Sequence, residues 1–553
     1  MLTCQFDRVH EAQAPWPIFW GHVIIHRMRR TAQVFLAAAL VLAITQGAGA
    51  ATAAPSLTTS VAPVVPVAAA SPASSQECLD FANDFDTDRT NISAGVPIEP
   101  YTAPPPAIDA WFNTTDVNER GIWNPNDNRP WKFAQQFTRL LCYAAPNSTI
   151  TAGYYFFRAT NASNSTEFNR PESDPETVFK ALEWLGKNRG VKTSILLDNT
   201  NTCTTSAPTE NCTNIMNKAS RTAFEKRFST IPGSDVTYCV NGCFNTARYG
   251  VYPYAIEHEK FFTVSDTDFP GEASGTQPLV ISTSANLARS QIRNYRQEAS
   301  LVYGDLSAWQ QFSQRFKGMK DCAINRCQYL GDPTVYNTEN PDLATTTPNP
   351  LGLVQEGDRR IWVDPTLRRT TDAGRGTSIT FSPGRNADAD RFDVYINQFD
   401  NVDCATDNKI RLAMFKLTDG KAEKMAATLK ALKGRGCDVK MLMTSQGGQT
   451  VISSSVRSTL DKAGIDYKCS VDAMHSKMIL IGPATGNLGS VLTGTQNMSV
   501  AGQLYSEEHV ITFDAKKAAG AARTAIRAVY DTYQQEWYEL SRGASKGNCG
   551  AKS

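Results

Sequence analysis

Two short stretches carry the residue types of phosphate chemistry. Ile256-Glu257-His258-Glu259-Lys260 and Met474-His475-Ser476-Lys477 each set a His two residues before a Lys at the start of an apolar run. On an extended strand, residues i and i+2 share a face, so each imidazole projects beside an ammonium. An imidazole can attack phosphorus or carry a proton, and a fixed positive charge can hold non-bridging oxygens. Of the six His, His10, His22 and His26 lie near the start of the chain, leaving His258, His475 and His509. Two of those three are followed at +2 by Lys, which chance would give in at most about 3% of cases. As ordinary structure the same residues would be strand-edge His and solvated Lys; the doubling argues against that. His509, beside Glu508 in a β-like run, reads as structural.

The elements that must position these groups form a repeat. In the first half, Phe133, Phe137, Leu140 and Leu141 have helical spacing, Pro146-Asn147-Ser148 interrupts it, and Thr149–Arg158 reads as a strand. Pro175–Asn188 predicts a helix capped by Asp174 and ended by Gly190, and Val191–Leu197 predicts the next strand, a strand-helix-strand unit with parallel strands. The pattern returns with Ile379–Pro383, a strand over Lys409–Leu417, a helix over Ala422–Leu432 and a strand over Val439–Met443. Each copy then runs on to a HisXxxLys, so two homologous halves are expected.

Composition bounds the rest. With 553 residues, 41% hydrophobic and 20% charged, the chain has room for two globular halves. The net charge is +1; residues 1–50 hold four Arg and two acidic residues, so without them it is −1. Neither value supplies a broad basic field for nucleic acid. Met28-Arg29-Arg30, the apolar run Val34–Ile44 and small residues around Ala48–Ala53 fit a secretory signal peptide at 28–50, with 1–27 as an upstream start-site extension. A flexible linker is expected at 51–78, a first half at 79–330, an inter-half linker at 331–357 and a second half at 358–553. No later run is long enough to span a membrane, so no transmembrane anchor is expected in the mature, extracellular chain. Of 13 Cys, Cys4 precedes the signal and 12 remain, an even number that implies up to six disulfides. Cys239/Cys243 and Cys322/Cys327 are less apt as zinc half-sites, because their spacings form no regular CxxC set.

With both His–Lys pairs on the page, the chain resembles the phospholipase D superfamily, whose members carry two HxK(x)4D motifs, each followed by a GSxN-like element. The corresponding elements here are Thr283-Ser284-Ala285-Asn286 and Gly494-Thr495-Gln496-Asn497, with Glu298 and Glu507 following as carboxylates. Ser265 and Gly482 stand where the motif Asp belongs, with Asp266 one residue late in the first copy. The resemblance implies an α/β fold of two homologous halves, each a mixed, mostly parallel sheet flanked by helices, related by a pseudo-twofold with the site at the seam. It implies that one His attacks phosphorus while the other serves as acid and base. By analogy with secreted members the nucleophile is expected to be His258 and the acid and base His475, an order the sequence leaves open. Lys260, Lys477, Asn286 and Asn497 would hold the oxygens, and Glu298 and Glu507 would orient the two imidazoles.

The resulting expectation is a secreted phosphodiesterase that hydrolyses a phosphatidylcholine-type headgroup ester to phosphatidate and alcohol. Transphosphatidylation would occur where an alcohol outcompetes water. Its partner is a phospholipid at a membrane or micelle surface; no metal, no cofactor and no stable nucleic acid partner are expected, and the chain is expected to be a monomer. Tyr252 and Tyr254 are candidates for a cation–π wall around choline. The competing readings are a secreted nuclease of the same superfamily, a phosphatidyl-transferring synthase, and a catalytically weak binding module on that fold.

Overall fold

The computed structural model describes residues 73–549 except 84–98, 114–128, 158–172, 199–200, 203–212, 215–223, 240–241, 245–255, 273–276, 289–290, 293–294, 326–327, 332–351, 357–358, 364–374, 383–393, 446–451, 484–487, 500–501 and 503–505. The expected leader, the segment before it, most of the first linker, and Tyr252 and Tyr254 fall outside the described residues.

The first half runs α1 (Ala73–Ala82), β1 (Ile108–Phe112), α2 (Arg129–Leu141), β2 (Thr149–Tyr154), α3 (Ser173–Arg189), β3 (Lys192–Asp198), a short pair β4 (Asn201–Thr202) and β5 (Thr213–Asn214), then β6 (Asp235–Cys239), β7 (Lys260–Thr267), β8 (Gln277–Thr283), β9 (Glu298–Tyr303) and α4 (Leu306–Asn325). Gly190, at φ 66°, ends α3 in a conformation that costs glycine little. The expected strand-helix-strand unit is there, and β2 and β3 pair in parallel. Three strands follow: β10 (Gln328–Gly331), β11 (Gly352–Glu356) and β12 (Arg359–Val363).

The second half repeats the plan with β13 (Arg375–Ser382), β14 (Lys409–Met414), α5 (Asp419–Gly434), β15 (Asp438–Met443), α6 (Ser454–Lys462), β16 (Asp466–Cys469), β17 (Lys477–Gly482), β18 (Ser490–Gly494), β19 (Glu508–Ala518) and α7 (Gly520–Ser541). The strand orders, β1-β9-β8-β7-β2-β3-β6 and β13-β19-β18-β17-β14-β15-β16, correspond one to one. The architecture is therefore α/β, two mixed seven-stranded sheets flanked by helices, but mostly antiparallel rather than mostly parallel as expected. Four of the six pairings in each sheet are antiparallel, because β7, β8 and β9 and their counterparts β17, β18 and β19 follow one another without crossover helices among the described residues.

Alternation along the strands builds the layers. On β7, Phe261 faces the space between the sheets and Phe262 faces α2 and α3. Between the sheets lie Leu196, Val280, Leu480 and Ile511 with Phe312 of α4 and Tyr530, Tyr533 and Trp537 of α7. The outer face of the second sheet packs Ile410, Leu412 and Ile479 against Met425, Leu429, Val456 and Leu460 of α5 and α6. Burying each such side chain contributes about 1.5–3 kcal/mol. Both sheets thus pack against one shared central layer.

Two expected linkers carry structure. Ala73–Ala82 within and beyond the first is helical, and Cys78 is disulfide-bonded to Cys142 at the end of α2. The stretch 331–357 contributes β11, which pairs antiparallel with β12. Polar composition misleads there because backbone pairing needs no apolar side chains. Cys239–Cys243, Cys404–Cys437 and Cys469–Cys549 are further disulfides, so Cys239 and Cys243 are not a zinc half-site. Cys322 is also disulfide-bonded. No helix among the described residues is long and apolar enough to cross a membrane.

Candidate active site

Each His–Lys motif sits at the entry to a central strand and is docked on the other half. His258 N–H donates to Glu507 O (2.9 Å) and Glu507 N–H to Ile256 O (3.1 Å). Correspondingly, His475 N–H donates to Arg296 O (2.9 Å) and Arg296 N–H to Ala473 O (2.8 Å). Neither imidazole is placed by its own half alone.

The Lys side chains fold back identically. Lys260 Nζ donates to His258 O and Lys477 Nζ to His475 O, each at 2.7 Å. Both Lys are fully buried and both His are 7% exposed, so each of the four sits in surroundings of low dielectric. Burial, with the charge of neighbouring Lys477, lowers Lys260 to about 7. Burial lowers Lys477 to about 8. Burial, then Lys260, Lys477, His475 and Lys416, push His258 well below its usual range. Burial, then Lys477 and Lys260, do the same to His475. The Lys charges hold both imidazoles down, and a phosphate anion beside them would raise all four groups.

The partners of the two imidazoles differ from each other and from expectation. His258 Nδ1 lies 3.0 Å from Glu508 Oε2, an ion-pair distance without the alignment of a hydrogen bond. His475 Nδ1 faces Ser284 O (3.1 Å) and Gln297 Oε1 (3.2 Å), with Lys477 Nζ at 3.2 Å. Two acceptors on Nδ1 favour the Nδ1–H tautomer and leave Nε2 for chemistry. Glu298 does not reach His475: its Oε1 accepts from Lys477 N–H at 2.8 Å. Glu507 turns away from His258, and its Oε1 accepts from Phe244 N–H at 3.0 Å. A Cβ on Gly242 (φ 74°) would lie 2.8 Å from that carboxylate, so the turn approaches closely because it is glycine. Burial raises Glu507 to about 8.

The register explains the shift. Thr283 pairs with Ala299 and Gly494 with Val510, which makes Gln297 equivalent to Glu508 and Glu298 equivalent to His509. Counting eleven residues from Asn286 and from Asn497 reaches Gln297 and Glu508, a spacing present in the sequence but hidden by the search for two acids.

Asn286 Oδ1 accepts from Phe156 N–H at 3.4 Å, and Asn497 Oδ1 is buried with no hydrogen-bond partner among the described residues. Tyr155 packs edge-on against His258 (5.3 Å) and Phe415 against His475 (4.3 Å). The next residues are Phe156 and Lys416, so a third Lys stands on one flank only, lowered by burial and within electrostatic reach of Glu508 and His258. Nothing in the spacing marks Lys416; only its strand does. At the motif-Asp positions, Ser265 Oγ accepts from Thr149 N–H (2.9 Å), and a Cβ on Gly482 would meet Tyr530 Oη at 2.2 Å. Tyr530 fills the space that a longer residue would need. No group of three or more His, Cys, Asp or Glu arranged to hold a metal ion occurs among the described residues.

Two interlocked His–Lys–Asn sets on paired sheets form one candidate site. Residues 400–529 match the family described as cardiolipin synthase, PLD-like domain. No curated protein sequence matches it. Among solved structures it is similar to phosphatidylserine synthase of Haemophilus influenzae Rd KW20 (10% identity, 84% of this chain and 93% of that one, TM-score 0.46). It is also similar to Nuc of Salmonella typhimurium, a phospholipase D family member (19%, 30% and 95%, TM-score 0.23). A third is the yeast tyrosyl-DNA phosphodiesterase (9%, 74% and 90%, TM-score 0.37).

Proposed function

We propose that the protein is a phosphodiesterase that works through a phosphohistidine on His258. The unequal pairing of the two imidazoles carries this reading. Attack by Nε2 of His258 on phosphorus leaves a positive ring, and Glu508 beside Nδ1 is the charge that stabilises it. His475 Nδ1 faces two neutral carbonyl oxygens and the Lys477 ammonium but no carboxylate, which lets the ring give up a proton readily.

In the first step the N–P bond forms as the P–O bond to the departing alcohol breaks, and His475 supplies that oxygen with its proton. Water then enters and loses a proton to His475. The resulting hydroxide attacks phosphorus, the P–N bond breaks, and His258 is restored. Lys260 and Lys477, with Asn286 and Asn497, balance charge on the non-bridging oxygens. The substrate anion raises the depressed His475 on binding, so that ring takes up a proton from solvent before the departing oxygen needs it.

The preferred substrate is the headgroup diester of a glycerophospholipid. The aromatic rings of Tyr155, Tyr295 and Phe415 around the histidines and the near-zero net charge support an amphiphile over a long polyanion. The disulfides support an oxidising, extracellular location. Headgroup release from mixed phospholipid vesicles by wild type, His258→Ala and His475→Ala tests the proposal. Release by wild type alone is expected, and equal release by all three would sink the catalytic assignment. DNA cleavage in a parallel reaction without lipid turnover would move the substrate to nucleic acid.

A further inference from the structure

A buried relay crosses from one half to the other beside the site. His509 Nδ1 contacts Glu259 Oε2, and His509 Nε2 lies 2.6 Å from Ser282 Oγ. The composition is that of a nucleophilic triad, but Ser282 is 1% exposed and the other two are fully buried, so no substrate reaches it. Arg315 Nε stands 3.6 Å from the other oxygen of Glu259, and the rings of Phe261, Phe312 and Phe381 enclose the imidazole. The position is informative. Glu259 lies between His258 and Lys260, and His509 is the residue after Glu508. The relay therefore joins the first motif to the strand that delivers the carboxylate to His258.

The other half solves the same junction differently. Glu298 stands at the position equivalent to His509, and Ser476 at that of Glu259. There the acid is on the strand and the hydroxyl on the motif, and Glu298 both faces Ser476 and accepts from Lys477 N–H. One junction is base on acid, the other acid on hydroxyl.

We propose that the Glu259–His509–Ser282 relay is a positioning device for the first motif, fixing the register in which Glu508 meets Nδ1 of His258. It sets the tautomer of His258, keeping Nε2 unprotonated for attack. The inference rests on the proposed chemistry for its kinetic consequence but not for its structural one.

The test uses the full chain, with bis(4-nitrophenyl) phosphate as substrate and ring 15N resonances of labelled histidines as a readout independent of turnover. His509→Ala, and His509→Gln as the better-filled alternative, should lower kcat on the order of 100-fold with KM little changed, because a small misplacement suffices. Both should also shift His258 away from the Nδ1–H tautomer. Glu259→Ser with His509→Glu transplants the other half's junction, and should recover at least about tenfold of the lost kcat together with the tautomer. The proposal is overturned if folded His509→Gln keeps the wild-type tautomer of His258. It is equally overturned if the double exchange melts like wild type yet recovers neither readout. Absence of turnover by wild type would refute the proposed reaction and leave the tautomer result to decide the relay.

Discussion

The sharpest consequence of the geometry is a contrast between adjacent acids. Burial raises Glu508 well above the usual carboxylate range, so its charge is developed against the ring as the ring becomes positive. Unit charges at the 3.0 Å separating His258 Nδ1 from Glu508 Oε2 then attract by about 5 kcal/mol at an effective dielectric of 20. Gln at 508 keeps a dipole but no charge, so most of that attraction disappears when the ring becomes positive. A loss of ~3–4 kcal/mol, roughly 100- to 1,000-fold in kcat, is expected for Glu508→Gln. Glu507 accepts from Phe244 N–H instead of meeting His258, and burial raises it to about 8, so Gln in its place removes nothing that the imidazole touches. Glu507→Gln should stay within about threefold of wild-type kcat. Its signature is in stability instead. A carboxyl raised in the folded state contributes stability that is full below its unfolded value and lost as pH rises through about 8. The Gln variant should lose less stability than wild type between pH 5 and 8, read by urea midpoints. Release of 4-nitrophenolate in single turnovers measures the kinetic half of the contrast. Equal losses, or a larger one for Glu507→Gln, would refute the assignment of Glu508.

Four further outcomes follow from the same geometry. Lys260 at about 7 and Lys477 at about 8 lose their charge as pH rises, so kcat/KM for an anionic diester should fall across pH 7–8, with Lys260→Arg moving that limb upward. Gly482→Ala should cost about 1–3 kcal/mol in urea denaturation, because the added carbon collides with Tyr530. Arg296, whose carbonyl receives His475, makes a buried two-point pair with Glu536 at 3.0 and 2.9 Å; Arg296→Met should destabilise by about 3–5 kcal/mol and lower kcat in parallel. Lys416→Met should raise KM for an anionic diester by about tenfold with smaller change in kcat, measured by initial rates across substrate concentration.

Much of this was legible because it is periodic. The helical spacing of Phe133, Phe137 and Leu140 and the apolar run after Lys477 reflect burial on one face or both, and the fold follows them. The two His–Lys pairs were legible because spacing on a strand dictates direction. The orienting partners were not, because equivalence across a repeat is set by strand register rather than by residue type. Gln297 does in one half what Glu508 does in the other, and a search for two carboxylates passes over the amide. Lys416 escaped for a related reason: its place beside the site comes from the pairing of β14 with β17, a contact between residues some sixty apart.

These misses share a cause that bears on how the site works. Gln297 against Glu508, Phe156 against Lys416, and Glu298 against His509 are equivalent positions filled by different chemistry. A repeat that used its halves identically would present the same environment to both imidazoles and could not tell nucleophile from acid. Divergence at the crossing points separates the two roles, while the backbone bonds at His258 and His475 keep both rings in the same frame. The asymmetry suits the proposed reaction, in which one ring bears positive charge while the other releases a proton.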